Sequence, residues 1–268
     1  FNNSTNSVYL ARITQEEIKE LSCIIIIYLH IKSFNKKTFL PIQKHPTFAP
    51  VNKTQYYMSF VGKQFPNIEV NAMSDLGDTF KINVLSEAVN NKKKVLLFWY
   101  PKDFTFVCPT ELHAFQEALA EFEKRNVKVI GASCDTPEVH FAWLNTPKNN
   151  GGIEGVTYPI LADSNRNLAR ILGILDSREI YDETADAYLL EGDDVTFRAT
   201  YLIDETGKVF HESINDMPLG RNVKEYLRLV DAYTHVQQHG EVCPANWEEG
   251  KEAMHADRKG VASYLASH

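Results

Sequence analysis

The chain is expected to be an α/β protein built on a mixed β-sheet. Two observations predict it. From Val95 onward, apolar runs of strand length alternate with segments whose apolar residues recur at helical spacing, and the last two strand-like runs are joined by a turn short enough for a hairpin.

In order, strands are expected over residues 95–100, 127–133, 158–162, 196–203 and 209–214, the last pair joined at Glu205-Thr206-Gly207. Helices are expected over 111–124, where Leu112, Phe115, Leu119 and Phe122 share one face, and over 138–145, 166–172 and 223–237. Residues 176–194 are acidic and read as a surface loop or a hairpin insertion. No internal repeat is present.

The 268 residues, 44% of them hydrophobic, suffice for one large core or two smaller ones. Four cysteines in this length do not make a secreted disulfide scaffold. A net charge of -7 argues against nucleic acid as a main partner, because phosphate binding needs a basic face.

Charge divides the chain. Residues 1–57 hold 7 Lys plus Arg against 3 Glu and no Asp, and all 13 glycines fall after them. The first methionine is Met58, so the natural enzyme is expected to start there, with residues 1–57 an upstream extension lacking ordered structure. The apolar stretch over 23–31 is shorter than the ~20 residues a membrane helix needs. A signal peptide is disfavoured because Lys32-Ser33-Phe34-Asn35 offers no small-residue cleavage site. The expected location is the cytoplasm. An organellar presequence is the alternative, since the segment is basic and acid-poor.

Cys108 is the residue on which the functional reading turns. It lies between the 95–100 strand and the helical segment, in FTFVCPTEL over residues 104–112. Pro109 has no backbone N–H and is preorganised for a helix's first turn, so Cys108 falls at or just before a helix N-terminus. That end is electropositive and favours a thiolate, the nucleophilic form of cysteine. The competing reading is an inert buried thiol, the usual role of free cysteine. Against it stand the adjacent proline, the Thr105 hydroxyl three residues upstream, and a second Cys-Pro pair, Cys243-Pro244, in GEVCPANW. Two cysteines so far apart in sequence pair only if the fold or a second subunit brings their Cα atoms within about 7 Å.

FTFVCPTE together with GEVCPANW resembles the typical 2-Cys peroxiredoxins, the group that includes the alkyl hydroperoxide reductase C and thioredoxin peroxidase proteins. The resemblance runs from about Phe60 to the C-terminus through FWYPKDFTFVCPTE, IGASCDTPEVHFAW, TPKNNGG, FRATYLID, LGRNVKEYLRLVDA and GEVCPANW, in family order. It implies a thioredoxin-like fold with peroxiredoxin additions over 58–235, and a C-terminal arm over 236–268 that carries the resolving cysteine.

The same resemblance implies the division of chemical labour. Cys108 is the peroxidatic cysteine, which attacks a hydroperoxide and becomes a sulfenic acid. Pro101 shields it, Thr105 hydrogen-bonds sulfur and peroxide, and Arg198 holds the sulfur as an anion through its fixed fork of donors. Glu111 and Arg221 support the site. Cys243 resolves the sulfenate as a disulfide, supplied by the other subunit of a homodimer that assembles into a decamer. Thioredoxin or a flavoprotein disulfide reductase then reduces the bridge. No metal, flavin or haem is implied.

Taken alone, Pro101 reads as a strand terminator and Thr105 as a turn residue. Arg198 is more telling: it lies inside the alternating run Val195, Phe197, Ala199, Tyr201, Ile203, and a cation buried there needs a partner, for which Glu111 is the candidate. Cys134 is expected to be a packed structural thiol, His113 and His140 to lie on a helix surface, and Trp143 and Trp247 to serve packing or an interface. The chain has no Cys-x-x-Cys, no His-Glu-x-x-His and no phosphate-binding glycine loop. Two rivals remain at this point: a ring-forming, redox-regulated chaperone, and a cysteine hydrolase that draws a histidine from elsewhere in the fold.

Overall fold

A computed structural model of the chain describes residues 59–268. The extension expected over residues 1–57 lies outside them. The elements are, in order, β1 (Glu69–Met73), β2 (Thr79–Asn83), α1 (Val84–Asn91), β3 (Lys94–Trp99), α2 (Cys108–Glu117), α3 (Leu119–Lys124), β4 (Val127–Ser133) and α4 (Pro137–Leu144). They continue with β5 (Ile160–Ala162), α5 (Asn167–Leu172), β6 (Arg178–Asp182), β7 (Ala187–Glu191), β8 (Arg198–Ile203), β9 (Val209–Asn215), α6 (Val223–His239) and α7 (Arg258–Ser267).

Seven strands form one mixed sheet in the order β2-β1-β5-β4-β3-β8-β9. The pairs β3/β4 and β4/β5 are parallel and the rest antiparallel. Parallel neighbours need a crossover, and α2 with α3 supplies it between β3 and β4. β3 is buried along its whole length. Its side chains alternate between two cores: Val95, Leu97 and Trp99 face one side of the sheet, while Leu96, Phe98 and Tyr100 face the other. This is why the strand reads as an unbroken apolar run. Cys108, Leu112 and Phe115 of α2 pack into the second core against Phe98 and Tyr100.

The β8–β9 hairpin forms as expected. Gly207 turns it at φ 85, where a Cβ would lie 2.1 Å from Leu85 Cδ1. Residues 176–194 take the hairpin alternative, with β6 and β7 forming a separate two-stranded sheet. The helix expected over 111–124 begins earlier, at Cys108, and is interrupted at Ala118. β1, β2, α1 and α7 were not anticipated. α6 runs to His239 and is closed by Gly240 at φ 67.

Candidate active site

β3 ends inside the sheet, and the chain then loops through residues 101–107 before α2 begins at Cys108 with Pro109 in its first turn. The sulfur therefore sits at a helix N-terminus beyond the carboxyl end of a central strand. Cys108 is 1% exposed. Two donors reach its Sγ: Thr105 Oγ1 at 3.0 Å and Arg198 Nη1 at 3.3 Å. A guanidinium and a hydroxyl are thus both aimed at the one sulfur. Thr105 Oγ1 also lies 2.8 Å from the Lys102 carbonyl. With one hydrogen to donate, the hydroxyl turns to either acceptor. Pro101, the first residue of this loop, is buried at the exit of β3.

Arg198 comes from β8, which pairs with β3, so the sheet carries it across to α2. Its Nη1 donates to Glu111 Oε2 at 2.7 Å and its Nε to the Met217 carbonyl at 2.6 Å. Glu111, one turn into α2, binds a second guanidinium through its other oxygen: Arg221 Nη1 lies 2.9 Å from Oε1, and the Arg221 backbone N–H also donates there at 3.0 Å. Arg221 is further held by Thr200 Oγ1 at 2.8 Å, by the Ala199 carbonyl at 2.9 Å and by the Trp99 carbonyl. Burial pulls the Arg221 guanidinium below its ordinary range, and the charge of Glu111 opposes that pull. The side chains of Arg198, Glu111 and Arg221 are all within 4% of full burial. Two cations thus face the one Glu111 carboxylate, leaving a net positive charge beside the sulfur.

The structure brings Cys108, Thr105, Arg198, Glu111 and Arg221 together. Cys243 lies elsewhere on the same chain, half-buried beyond α6, with its Sγ 3.6 Å from the Ala232 carbonyl. Burial raises its thiol pKa, and the Arg228 charge works in the opposite direction. The segment around it is held to α6 by Arg228 Nη1 on the Trp247 carbonyl at 3.0 Å and by His235 Nε2 with Glu241 Oε2 at 2.9 Å. Cys108, Cys134 and Cys243 are all free. Burial pushes the Cys134 thiol up to about 12, so at neutral pH it is protonated and inert, as a packed structural thiol should be. Trp143 and Trp247 are both packed inside the chain.

One expectation is overturned. His140 does not lie on a helix surface: it is fully buried, with Nδ1 2.8 Å from Asp103 Oδ2 and Nε2 donating to the Leu161 carbonyl at 3.2 Å. The signal was present in Pro137, His140 and Trp143, which recur three apart on the apolar face of α4. His113 is half-buried, its Nε2 3.1 Å from the Gly152 carbonyl. Asp103, Tyr100, Thr200 and Met217 had no sequence signal of their own. They matter through contacts that only the fold creates.

Comparison with known proteins agrees with this geometry. The AhpC/TSA family model matches residues 61–212, and the model for the C-terminal domain of 1-Cys peroxiredoxin matches residues 232–267. Alkyl hydroperoxide reductase C of Helicobacter pylori is 45% identical over 174 residues, covering 65% of this chain and 80% of that protein. Peroxiredoxin-1 of Gekko japonicus is 39% identical over 210 residues, 78% of this chain and 97% of that protein. The crystal structure of reduced Plasmodium vivax 2-Cys peroxiredoxin superposes with a TM-score of 0.70 at 37% identity, over 78% of this chain and 100% of that one.

A thioredoxin-like fold with a cysteine at the start of a helix beside a buried guanidinium, taken with these relatives, defines a thiol-dependent peroxidase. The chain belongs to the AhpC/TSA family of peroxiredoxins.

Proposed function

We propose that Cys108 is the peroxidatic cysteine and Cys243 the resolving one, and that the reaction is completed between two copies of the chain. The observation that carries this is the convergence of Thr105 and Arg198 on Cys108 Sγ. The sulfur attacks one oxygen of hydrogen peroxide or an organic hydroperoxide, the O–O bond breaks, and the departing oxygen takes a proton and leaves as water or alcohol. Sulfur is oxidised to the sulfenic acid as the peroxide is reduced. Arg198 and Thr105 hold the sulfur as its anion before attack and stabilise the charge that passes to the departing oxygen as the O–O bond breaks, and Pro101 keeps bulk water from the thiolate. Glu111 and Arg221 hold Arg198 at its angle.

Cys243 of a second subunit then attacks the Cys108 sulfur, forming a disulfide and releasing water. An external dithiol, thioredoxin or a flavoprotein disulfide reductase, restores both thiols by exchange. The family match supports an oligomer, which we read as a homodimer that assembles further into a decamer. Phe106, 94% exposed beside the site, offers such an assembly an apolar contact.

Replacing each cysteine in turn tests the assignment. Cys108→Ser is expected to abolish peroxide consumption. Cys243→Ser is expected to consume one equivalent per chain and stop. Steady turnover by the Cys108→Ser protein would overturn the reading.

A further inference from the structure

We propose that Asp103 and His140 are positioning residues for peroxide attack: together they lock the loop that aims the Thr105 hydroxyl at Cys108 Sγ. The assignment rests on Cys108 being the attacking sulfur.

The two side chains form a sealed pair, each with 0% of its side chain exposed. His140 Nε2 faces the Leu161 carbonyl, which can only accept, so that nitrogen carries a hydrogen. A single further proton lies between Nδ1 and Asp103 Oδ2, 2.8 Å apart. Whichever atom holds it, the pair is neutral overall, and a fixed proton joins α4 to the loop. The other carboxylate oxygen, Oδ1, accepts from the Tyr100 phenol at 2.8 Å, tying the loop back to the end of β3. The Asp103 backbone N–H donates to Asp135 Oδ2 at 2.9 Å, and Asp135 is itself fixed by Ser133 Oγ at 2.7 Å. Asp103 is thus tied from three directions, by α4, β3 and the end of β4.

Its sequence neighbours carry the consequence to the sulfur. On one side is Lys102, whose carbonyl lies 2.8 Å from Thr105 Oγ1. On the other is Phe104, held at φ 55 with its ring 5.8 Å from that of Trp143. A left-handed conformation in a bulky residue persists only where its surroundings over-determine it. Here α4 clasps both positions, His140 on Asp103 and Trp143 on Phe104. Thr105 is the next residue, and its Oγ1 arrives 3.0 Å from Sγ. The side-chain hydrogen bonds of Tyr100, Asp103 and His140 run to one another and to the Leu161 carbonyl rather than to the sulfur, so their polar influence on it runs through Thr105.

The test is a double-variant cycle in the full chain. Oxidation of Cys108 by hydrogen peroxide is followed by stopped flow for wild type, Asp103→Asn, Thr105→Val and the pair, and alkylation of Cys108 by iodoacetamide is followed by peptide mass spectrometry. Asp103→Asn is expected to slow oxidation roughly 10- to 100-fold, the loss that misplacing a reacting group brings, while slowing alkylation far less. In the Thr105→Val background it should add nothing. Multiplicative losses in the pair, or equal loss of oxidation and alkylation, would overturn the proposal. Should Asp103→Asn not fold, Tyr100→Phe decides: its smaller loss must vanish in the Thr105→Val background. Cys108→Ser separates the two levels, since peroxide consumption by that variant would sink the assignment of Cys108 itself, whatever the coupling shows.

Discussion

Glu111 carries the electrostatic balance of the site. It places one oxygen on each of two buried guanidiniums, so neither Arg198 nor Arg221 is left uncompensated. Removing one partner of a buried ionic group costs about 3–5 kcal/mol, because the remaining charge is stranded away from water. Glu111→Gln is therefore expected to lower unfolding stability by about that amount and to slow peroxide oxidation as Arg198 loses its angle. Denaturant titration measures the first, and a change below about 1 kcal/mol would contradict the charge accounting. Much of this was legible beforehand. Cys108, Thr105 and Pro101 lie in one contiguous segment, and Arg198 is conspicuous as a cation within an apolar run. Asp103 and His140 were not legible as a pair, because 37 residues separate them in sequence and only the packing of α4 on the loop joins them.

At the scale of elements, the strands that were expected are those buried on both faces or paired in the β8–β9 hairpin. β1 and β2 were missed: β1 alternates, exposing Glu69 and Asn71 and burying Val70 and Ala72, but only over five residues, and β2 exposes its first three residues. α1 is N-capped by the Asn83 side chain on the Ser86 N–H, a local signal the sequence did contain. The helix after Cys108 was expected as one piece, and its interruption at Ala118, with neither Pro nor Gly there, had no sequence marker. The β6–β7 hairpin is an insertion whose ends already meet: Asp176 N–H donates to the Val195 carbonyl at 3.0 Å, and Asp176 Oδ1 accepts from Val195 N–H at 3.0 Å. Replacing residues 177–194 by a short Gly-Ser linker should leave peroxide oxidation within about twofold of wild type, as expected where chain ends meet at the surface. A loss of activity in the folded deletion variant would show that the hairpin serves the site.

The whole molecule poses a question of geometry between chains. Cys108 is sealed at the start of α2, and Cys243 is tied to α6 of its own chain by the Arg228, His235 and Trp247 contacts. Sequence spacing alone left open whether the fold or a second subunit closes that gap. Cys108 falls within the family-model match over residues 61–212, and Cys243 within the one over 232–267. The account requires them to meet across a symmetric interface, where each chain gives its Cys108 to one site and its Cys243 to the other.

Mixing Cys108→Ser and Cys243→Ser proteins by co-refolding tests this most directly, with peroxide turnover and nonreducing electrophoresis as readouts. Each variant alone should fail to turn over. Random pairing makes half the dimers mixed with one intact site in two, so the mixture should regain about a quarter of wild-type activity and form covalent dimers through Cys108 and Cys243. A mixture that stays inactive, while wild-type peroxide treatment gives only disulfides within a chain, would contradict the account.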